Sequence, residues 1–421
     1  MDNPVPARFE KTLYARLPDR QQAFLRRQAA QHGFTHQELR QLCEIAMDFH
    51  LWPGPDIEQA WPDSPNPALT GKPLRQALIR QLVAKREAHR CSSNHYPDKP
   101  VQRISAAAQP VEIRKGKLGL GWCPVASPKT RCCNLMTLDA VENCGYGCSY
   151  CSIQSFYDGK EIRFDRDFAR KLEQLQLDPD RVYHIGTGQS SDSLMWGNSH
   201  GVLDALLDFA RRNPNVILEF KTKSANVKHL LASDLPPNLL CTWSLNTPTI
   251  IANEEHGTAS LEKRLHAARA IADRGGIVGF HFHPMVHYDH WARDYRDVIE
   301  TLARQFRPEE VALVSLGTLT YIKPVMREIR QRGVPTQILK MPLVEVEGKW
   351  SYPDDLKIEM FSHAWRSFPQ SWREQVFFYL CMEPSRLWQP VFGFGYDSNA
   401  DFEQAMKQAY LEKLSSHVAG Q

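Results

Sequence analysis

Apolar and polar positions follow two different rhythms along this chain. From about Asn134 onward, short runs rich in β-branched and aromatic residues alternate with amphipathic stretches. The runs at 135–141, 181–185, 216–222, 240–245, 277–282 and 311–316 predict six strands. Between them, 201–212, 259–274 and 291–306 space their apolar residues three and four apart, as helices do. Strand–helix repeats at this spacing predict an α/β fold with a parallel sheet and helical crossovers. Six units with polar and reactive residues after the strand ends predict a partial (β/α)6 barrel of the TIM type.

The first part of the chain predicts helices only. Pro18-Asp19 opens an Arg- and Gln-rich helix that Gly33 ends, and Thr35-x-x-Glu38 is a capping box for the next, with Leu39, Leu42, Ile45 and Ala46 on one face. Pro53, Pro55, Pro62, Pro65 and Pro67 predict a linker over 52–70. Pro73 starts a basic helix to about Arg90, and 91–131 is expected to be irregular. The predicted organisation is a helical, partly basic N-terminal extension (1–105), the barrel (106–345), and a C-terminal hairpin with helices completing it (346–421).

Composition changes this picture little. Of 421 residues, 42% are hydrophobic and 24% charged, a balance that fits a globular chain able to bury a large core. No apolar stretch approaches the ~18 residues of a membrane span. The start, Met1-Asp2-Asn3-Pro4-Val5-Pro6, lacks the apolar core of a signal peptide. A cytoplasmic location is the expectation. Net charge is only +3, but 71–117 holds eleven Lys and Arg against Glu87, Asp98 and Glu112. Such a segment can follow phosphates, or can be a solvated helix face and linker.

The chemistry concentrates in Asn143-Cys144-Gly145-Tyr146-Gly147-Cys148-Ser149-Tyr150-Cys151, a C-x3-C-x2-C spacing. Three thiolates in eight residues can hold three corners of an iron–sulfur cube, with glycines letting the backbone wrap closely. Nothing local supplies a fourth ligand, and S-adenosylmethionine is the known partner for a cube with a free iron. Its reductive cleavage yields a carbon radical that abstracts hydrogen. Zinc is the competing reading: it wants four ligands, and Cys132-Cys133 could provide one. Ten cysteines in a chain of this length are too sparse for a secreted disulfide scaffold.

The loop follows the first predicted strand, where barrels place reactive groups. Gly186-Thr187-Gly188 follows the second, Lys223 the third, and Ser244 with Asn246 the fourth. Singly each is ambiguous, since turns need glycine and lysines populate surfaces. Four such features at successive strand ends are less easily accidental.

At this level the chain resembles the radical S-adenosylmethionine proteins, and within them the spore photoproduct lyase family. The matching stretches are Arg131-Cys132-Cys133-Asn134, Cys148-Ser149-Tyr150-Cys151-Ser152-Ile153-Gln154, Ser191-Asp192-Ser193, Lys221-Thr222-Lys223-Ser224, Ser244-Leu245-Asn246, Glu255-His256-Gly257-Thr258 with Arg264, and Tyr379-Leu380-Cys381-Met382-Glu383. The resemblance implies that Cys144, Cys148 and Cys151 hold a [4Fe-4S] cluster. It implies that Ser191, Lys223 and Ser244, with Gln189 beside them, lie at the S-adenosylmethionine site. Tyr150 matches a tyrosine of the radical relay, and Tyr352 the hairpin tyrosine by the DNA lesion. An electron donor such as flavodoxin or ferredoxin and a nucleic-acid substrate, DNA favoured, are implied with them. The chain also departs from the family. Ser152 stands where a second tyrosine follows the third cysteine, Ser351 where an Arg precedes the hairpin tyrosine, and Gln189 where a cysteine donates hydrogen.

Among the other cysteines, Cys132, Cys133 and Cys381 are candidates for a substitute hydrogen donor, while Cys43, Cys91, Cys123 and Cys241 are expected to pack. His281 and His283 alternate onto one strand face, where hydrogen bonding is expected over metal binding. The expected function is a radical enzyme repairing or modifying nucleic acid through a 5′-deoxyadenosyl radical. The alternatives are a radical enzyme on RNA or a nucleotide, and a zinc-stabilised nucleic-acid-binding protein without chemistry.

Overall fold

The structure, a computed structural model, describes residues 6–62, 68–97, 111–114, 118–123, 129–152, 161–346 and 348–419. The chain forms two units, each from two segments: Met1–Val101 with Thr320–Tyr352, and Gln102–Leu319 with Pro353–Gln421.

In the first unit, the helix Asp19–His32 ends at Gly33, whose φ of 63° places it in the left-handed region that stops helices. The helix His36–Leu51 begins with the expected capping box: Glu38 N–H donates to Thr35 Oγ1 (3.3 Å) and Thr35 N–H to Glu38 Oε2 (2.8 Å). Its buried face carries Leu39, Leu42, Ile45 and Ala46. The stretch expected as linker contains a short helix, Ile57–Ala60, because Asp56 and Gln59 form a second capping box. The basic helix runs Gly71–Arg90. The later segment adds the helix Lys323–Arg332 and a three-stranded antiparallel ribbon of Thr320–Tyr321, Lys349–Ser351 and Val344–Val346. Arg330 clasps the buried carboxylate of Asp48 at 2.7 and 3.1 Å, tying that helix to His36–Leu51. Of the basic segment, Lys99, Arg103, Lys115 and Lys117 lie outside the described residues.

The second unit is built on an eight-stranded sheet. Its strands are β1 (Gly119–Trp122), β2 (Met136–Asp139), β3 (Tyr183–Thr187), β4 (Val216–Thr222), β5 (Leu239–Ser244), β6 (Ile277–Met285), β7 (Val311–Thr318) and β8 (Phe377–Leu380). They neighbour one another in chain order, and every pairing is parallel except β1 with β2. The fold is therefore mixed α/β with a largely parallel central sheet. Crossover helices include Val202–Arg212, Leu261–Asp273 and Trp291–Gln305. All six residues of β5 and all eight of β7 are buried, as expected of parallel strands covered on both faces. The six predicted strands are β2 to β7. The edge strands β1 and β8 are additional, and β1 lies in the stretch expected to be irregular. The segments beside these two edges meet: Arg131 N–H, ahead of β2, donates to the carbonyl of Glu383, just past β8, at 3.0 Å. Among the described residues no helix is long and apolar enough to cross a membrane.

Candidate active site

The cysteine loop leaves β2 through Val141–Glu142 and turns at Asn143, which takes a left-handed φ of 65°. Gly145 lies close under Met195 and Trp196: a Cβ there would sit 2.6 Å from Met195 Cε and 3.1 Å from the Trp196 ring. Gly147–Cys148 then forms a two-residue antiparallel pairing with Glu255–His256, Cys148 opposite Glu255. Ser149 N–H donates to the Glu254 carbonyl at 2.9 Å, and the Ser149 hydroxyl donates to the Glu254 carboxylate. This stitching holds the loop against the segment that follows β5.

Burial pushes the thiol of Cys144 well above its ordinary range; Asp192 adds to the shift, as do Cys151 and Cys148 nearby. Burial pushes Cys148 up to about 12, although Lys223 and Arg264 pull it down. The donors are therefore soft sulfurs that surrender protons when a metal binds. Among the described residues, no group of three or more His, Cys, Asp or Glu is spaced to hold one metal ion. A cube does not require that spacing, because each thiolate takes a different iron. Three clustered thiols on a glycine-bearing loop, with cations beside them to offset the charge of their ligating form, fit a [4Fe-4S] cluster.

Glu255 organises the neighbourhood. Its carboxylate accepts from Tyr150 Oη (2.5 Å), Arg264 Nη2 (2.5 Å) and Asn246 Nδ2 (3.4 Å). Burial alone would raise its pKa, but Arg264 and Lys223 hold it below the usual carboxylate range. Arg264 is fully buried and also donates to the carbonyls of Ser244 (2.7 Å) and Ala259 (2.9 Å) and to Thr258 Oγ1 (2.7 Å). Burial, then Glu255, raises the phenol of Tyr150 well above its ordinary value. Lys223 is half-buried, and its Nζ lies 5.8 Å from the centroid of the buried Tyr150 ring. Burial would lower its pKa, yet Cys148 and Glu255 raise it, so the ammonium is retained.

The turns after β3 and β4 are locked by one carboxylate. Asp192 accepts from the N–H groups of Leu194 (3.0 Å) and Met195 (2.9 Å), from Thr222 Oγ1 (2.6 Å) and from Lys223 N–H (2.6 Å). Gly188 has φ 78°, and a Cβ there would meet Ser193 Oγ at 2.6 Å. Gln189 lies in this turn, and its backbone N–H bonds the carboxylate of Asp139. The Ser191 hydroxyl accepts from Trp196 Nε1 at 3.2 Å. Ser244 is buried at the end of β5. Cys148, Tyr150, Lys223 and the Ser244 carbonyl are thus joined through Glu255 and Arg264, while Ser191 and Gln189 occupy the turn that Asp192 ties to Lys223. Tyr352 belongs to the first unit, where it is fully buried after Lys349–Ser351. Ile153 and Gln154 lie outside the described residues. Asp192, Glu255 and Arg264 were visible only as matched residues; nothing in their own sequence context assigned them a role.

Two further polar groups lie in the second unit. The Glu219 carboxylate, buried on β4, bonds His184 Nε2 (2.9 Å), His281 Nε2 (2.8 Å) and Thr242 Oγ1 (2.7 Å). Burial lowers His281 to about 4, Lys221 contributing, so this histidine is a hydrogen-bonding core residue. Cys132 is lowered to about 6, first by a hydrogen bond from Cys133. Cys133 also feels the charges of Cys381 and Cys123, so four cysteines from three segments share one neighbourhood.

The family model for spore photoproduct lyase matches residues 143–358, just over half of the chain. The spore photoproduct lyase of Geobacillus sp. (strain Y412MC61) is 26% identical over 245 residues, spanning 53% of this chain and 71% of that protein. The Clostridium acetobutylicum spore photoproduct lyase is 25% identical over 180 residues, 41% of this chain and 53% of its own. Among solved structures, spore photoproduct lyase complexed with dinucleoside spore photoproduct superposes with TM-score 0.54 at 21% identity, covering 69% of this chain and 88% of the other. A double mutant of that enzyme with bound AdoMet and dinucleoside spore photoproduct gives 0.53 at 21%, covering 69% and 87%. With a thiol loop fit for a cube and an ammonium held beside it, the chain belongs to the spore photoproduct lyase family of radical S-adenosylmethionine enzymes.

Proposed function

We propose that the chain repairs or modifies a pyrimidine lesion in DNA, with spore photoproduct the first substrate to test. The observation that carries this reading is the three-thiol loop pinned by Cys148 opposite Glu255, with Lys223 Nζ 5.8 Å from the Tyr150 ring as a receptor for a carboxylate. Cys144, Cys148 and Cys151 hold the [4Fe-4S] cluster. When bound, the cluster and S-adenosylmethionine together supply hydrogen abstraction from carbon. Lys223 binds the cofactor carboxylate, and Ser191 and Ser244, with Gln189 beside them, line the same site. Tyr150 holds its phenolic proton against Glu255, poised to give up and regain a hydrogen atom. Tyr352 is assigned to the lesion side, flavodoxin or ferredoxin to electron supply, and the cytoplasm to the location. The sheet is read as a partial barrel, with the Arg131–Glu383 bond between its edges in support.

Anaerobic reconstitution tests this reading. The expected result is brown protein with about four irons per chain that forms 5′-deoxyadenosine with dithionite and S-adenosylmethionine. Colourless protein with stoichiometric zinc overturns it.

Gln189 sets the outcome on lesions. A carboxamide cannot quench a carbon radical as a thiol does, so native reversal of dinucleoside spore photoproduct should be weak, and Gln189→Cys should raise it. The shared neighbourhood of Cys132, Cys133 and Cys381 favours a second reading in which one of them is the donor. Native repair that is strong, and lost when all three become Ser, selects that reading. Strong repair that survives the replacement removes the donor argument.

A further inference from the structure

The first unit contains a cleft of about 850 Å³ that none of the radical chemistry uses. Its walls come from the helices His36–Leu51, Gly71–Arg90 and Lys323–Arg332, with Trp350 of the ribbon. Seven lining side chains are Lys or Arg and three are acidic. The acids fix part of the cationic wall. Asp48, itself buried, holds Arg330 at 2.7 Å and Arg86 at 3.6 Å, and Glu87 holds Arg86 at 2.9 Å and Arg90 at 2.7 Å. Arginine forks restrained in this way lose little freedom on meeting an oxyanion. Arg40 and Arg327, both exposed, have no acidic partner among the described residues.

Two indoles complete the lining. Trp52 is 3% exposed and backs the wall, Trp350 is half-buried, and among the described residues neither buried Nε1 has a hydrogen-bond acceptor. A buried N–H without an acceptor is uncommon in a finished core. The cleft thus offers cations in excess together with the aromatic surface of the half-buried Trp350. Phosphate answers the guanidinium groups, and a nucleobase answers the indole of Trp350.

We propose that this cleft binds a phosphate-bearing nucleotide, free or as part of a single strand, with its phosphate on the arginines and its base against an indole. None of the cleft's lining residues is assigned to the cluster or to S-adenosylmethionine, so its test does not require a loaded cluster. Binding of a labelled, undamaged oligothymidylate to the full chain should be measured by anisotropy, in competition with dTMP and with inorganic phosphate. The double variant Arg40→Gln/Arg327→Gln should bind about tenfold more weakly or worse. Its salt slope should fall by about 1.4, because each single-strand phosphate contact is worth roughly 0.7. Trp350→Leu should weaken strand binding about fivefold or more while leaving the salt slope in place. Competition by dTMP identifies a free-nucleotide site, and strand binding without such competition identifies a strand site. Inorganic phosphate competing as well as dTMP overturns the nucleotide assignment. Unchanged affinity and slope in the double variant, with native melting behaviour, reduce the cleft to an ion-pair cradle between helices and overturn the proposal.

Discussion

Glu255 and Glu219 are both carboxylates buried almost completely in the second unit, and they are satisfied in opposite ways. Glu255 faces Arg264 and Lys223, which stay charged at every relevant pH. Glu219 faces His184 and His281, whose hydrogen bonds hold its pKa well below the usual range although burial would raise it. One arrangement fixes a charged constellation next to the cysteine loop. The other satisfies a polar group inside the sheet with two imidazoles and a hydroxyl. A site that must hold an ammonium beside a cluster needs permanent partners, whereas a core carboxylate needs only donors.

Breaking the permanent pair should have the largest effect. Arg264→Ala leaves the Glu255 charge buried without its guanidinium, so urea unfolding should report a loss of about 3–5 kcal/mol. Acid titration should separate the two networks next. His281 protonates near 6.5 when unfolded but only near 4 when folded, so its contribution is complete above pH 6.5 and is lost as pH falls toward 4. That loss is on the order of 3 kcal/mol. Glu255, with a lowered folded pKa, keeps its contribution until pH falls below the ordinary Glu range. Unfolding midpoints that decline between pH 6.5 and 4.5, and flatten in His281→Asn, match this assignment; a flat native profile contradicts it.

Lys223→Ala should spare the fold and weaken S-adenosylmethionine binding by roughly 1.5–3 kcal/mol, read by calorimetry on the anaerobic holoprotein. Unchanged affinity would show the ammonium serves Tyr150 and Glu255 alone. The smallest effect belongs to Tyr150→Phe. Loss of one buried hydrogen bond should cost about 1 kcal/mol of stability. Formation of 5′-deoxyadenosine should persist while lesion reversal slows, and equal slowing of both would remove Tyr150 from the relay.

The six inner strands were legible because parallel strands buried on both faces read as continuous apolar runs. The edges were not. Gly119-Leu120-Gly121-Trp122 has two glycines and an exposed tryptophan, so its pairing comes from β2 rather than from propensity. Phe377–Leu380 lies beyond a long excursion, out of step with the earlier repeats. At the site, the thiol triplet announced itself by spacing. The role of Lys223 could not, because its counter-charge arrives from Glu255 through a pairing only two residues long. The gathering of Cys123, Cys132, Cys133 and Cys381 was equally hidden, since it needs the approach of the two sheet edges.

The chain leaves the second unit after β7, contributes Thr320–Tyr352 to the first, and returns to lay down β8. No single cut therefore yields two finished pieces. A fragment ending before Thr320 has an N-terminal half without its ribbon and a sheet whose β7 edge is bare, a template for misassociation. During synthesis both units remain open until well past residue 350, so nascent chains should depend on holding factors for most of translation.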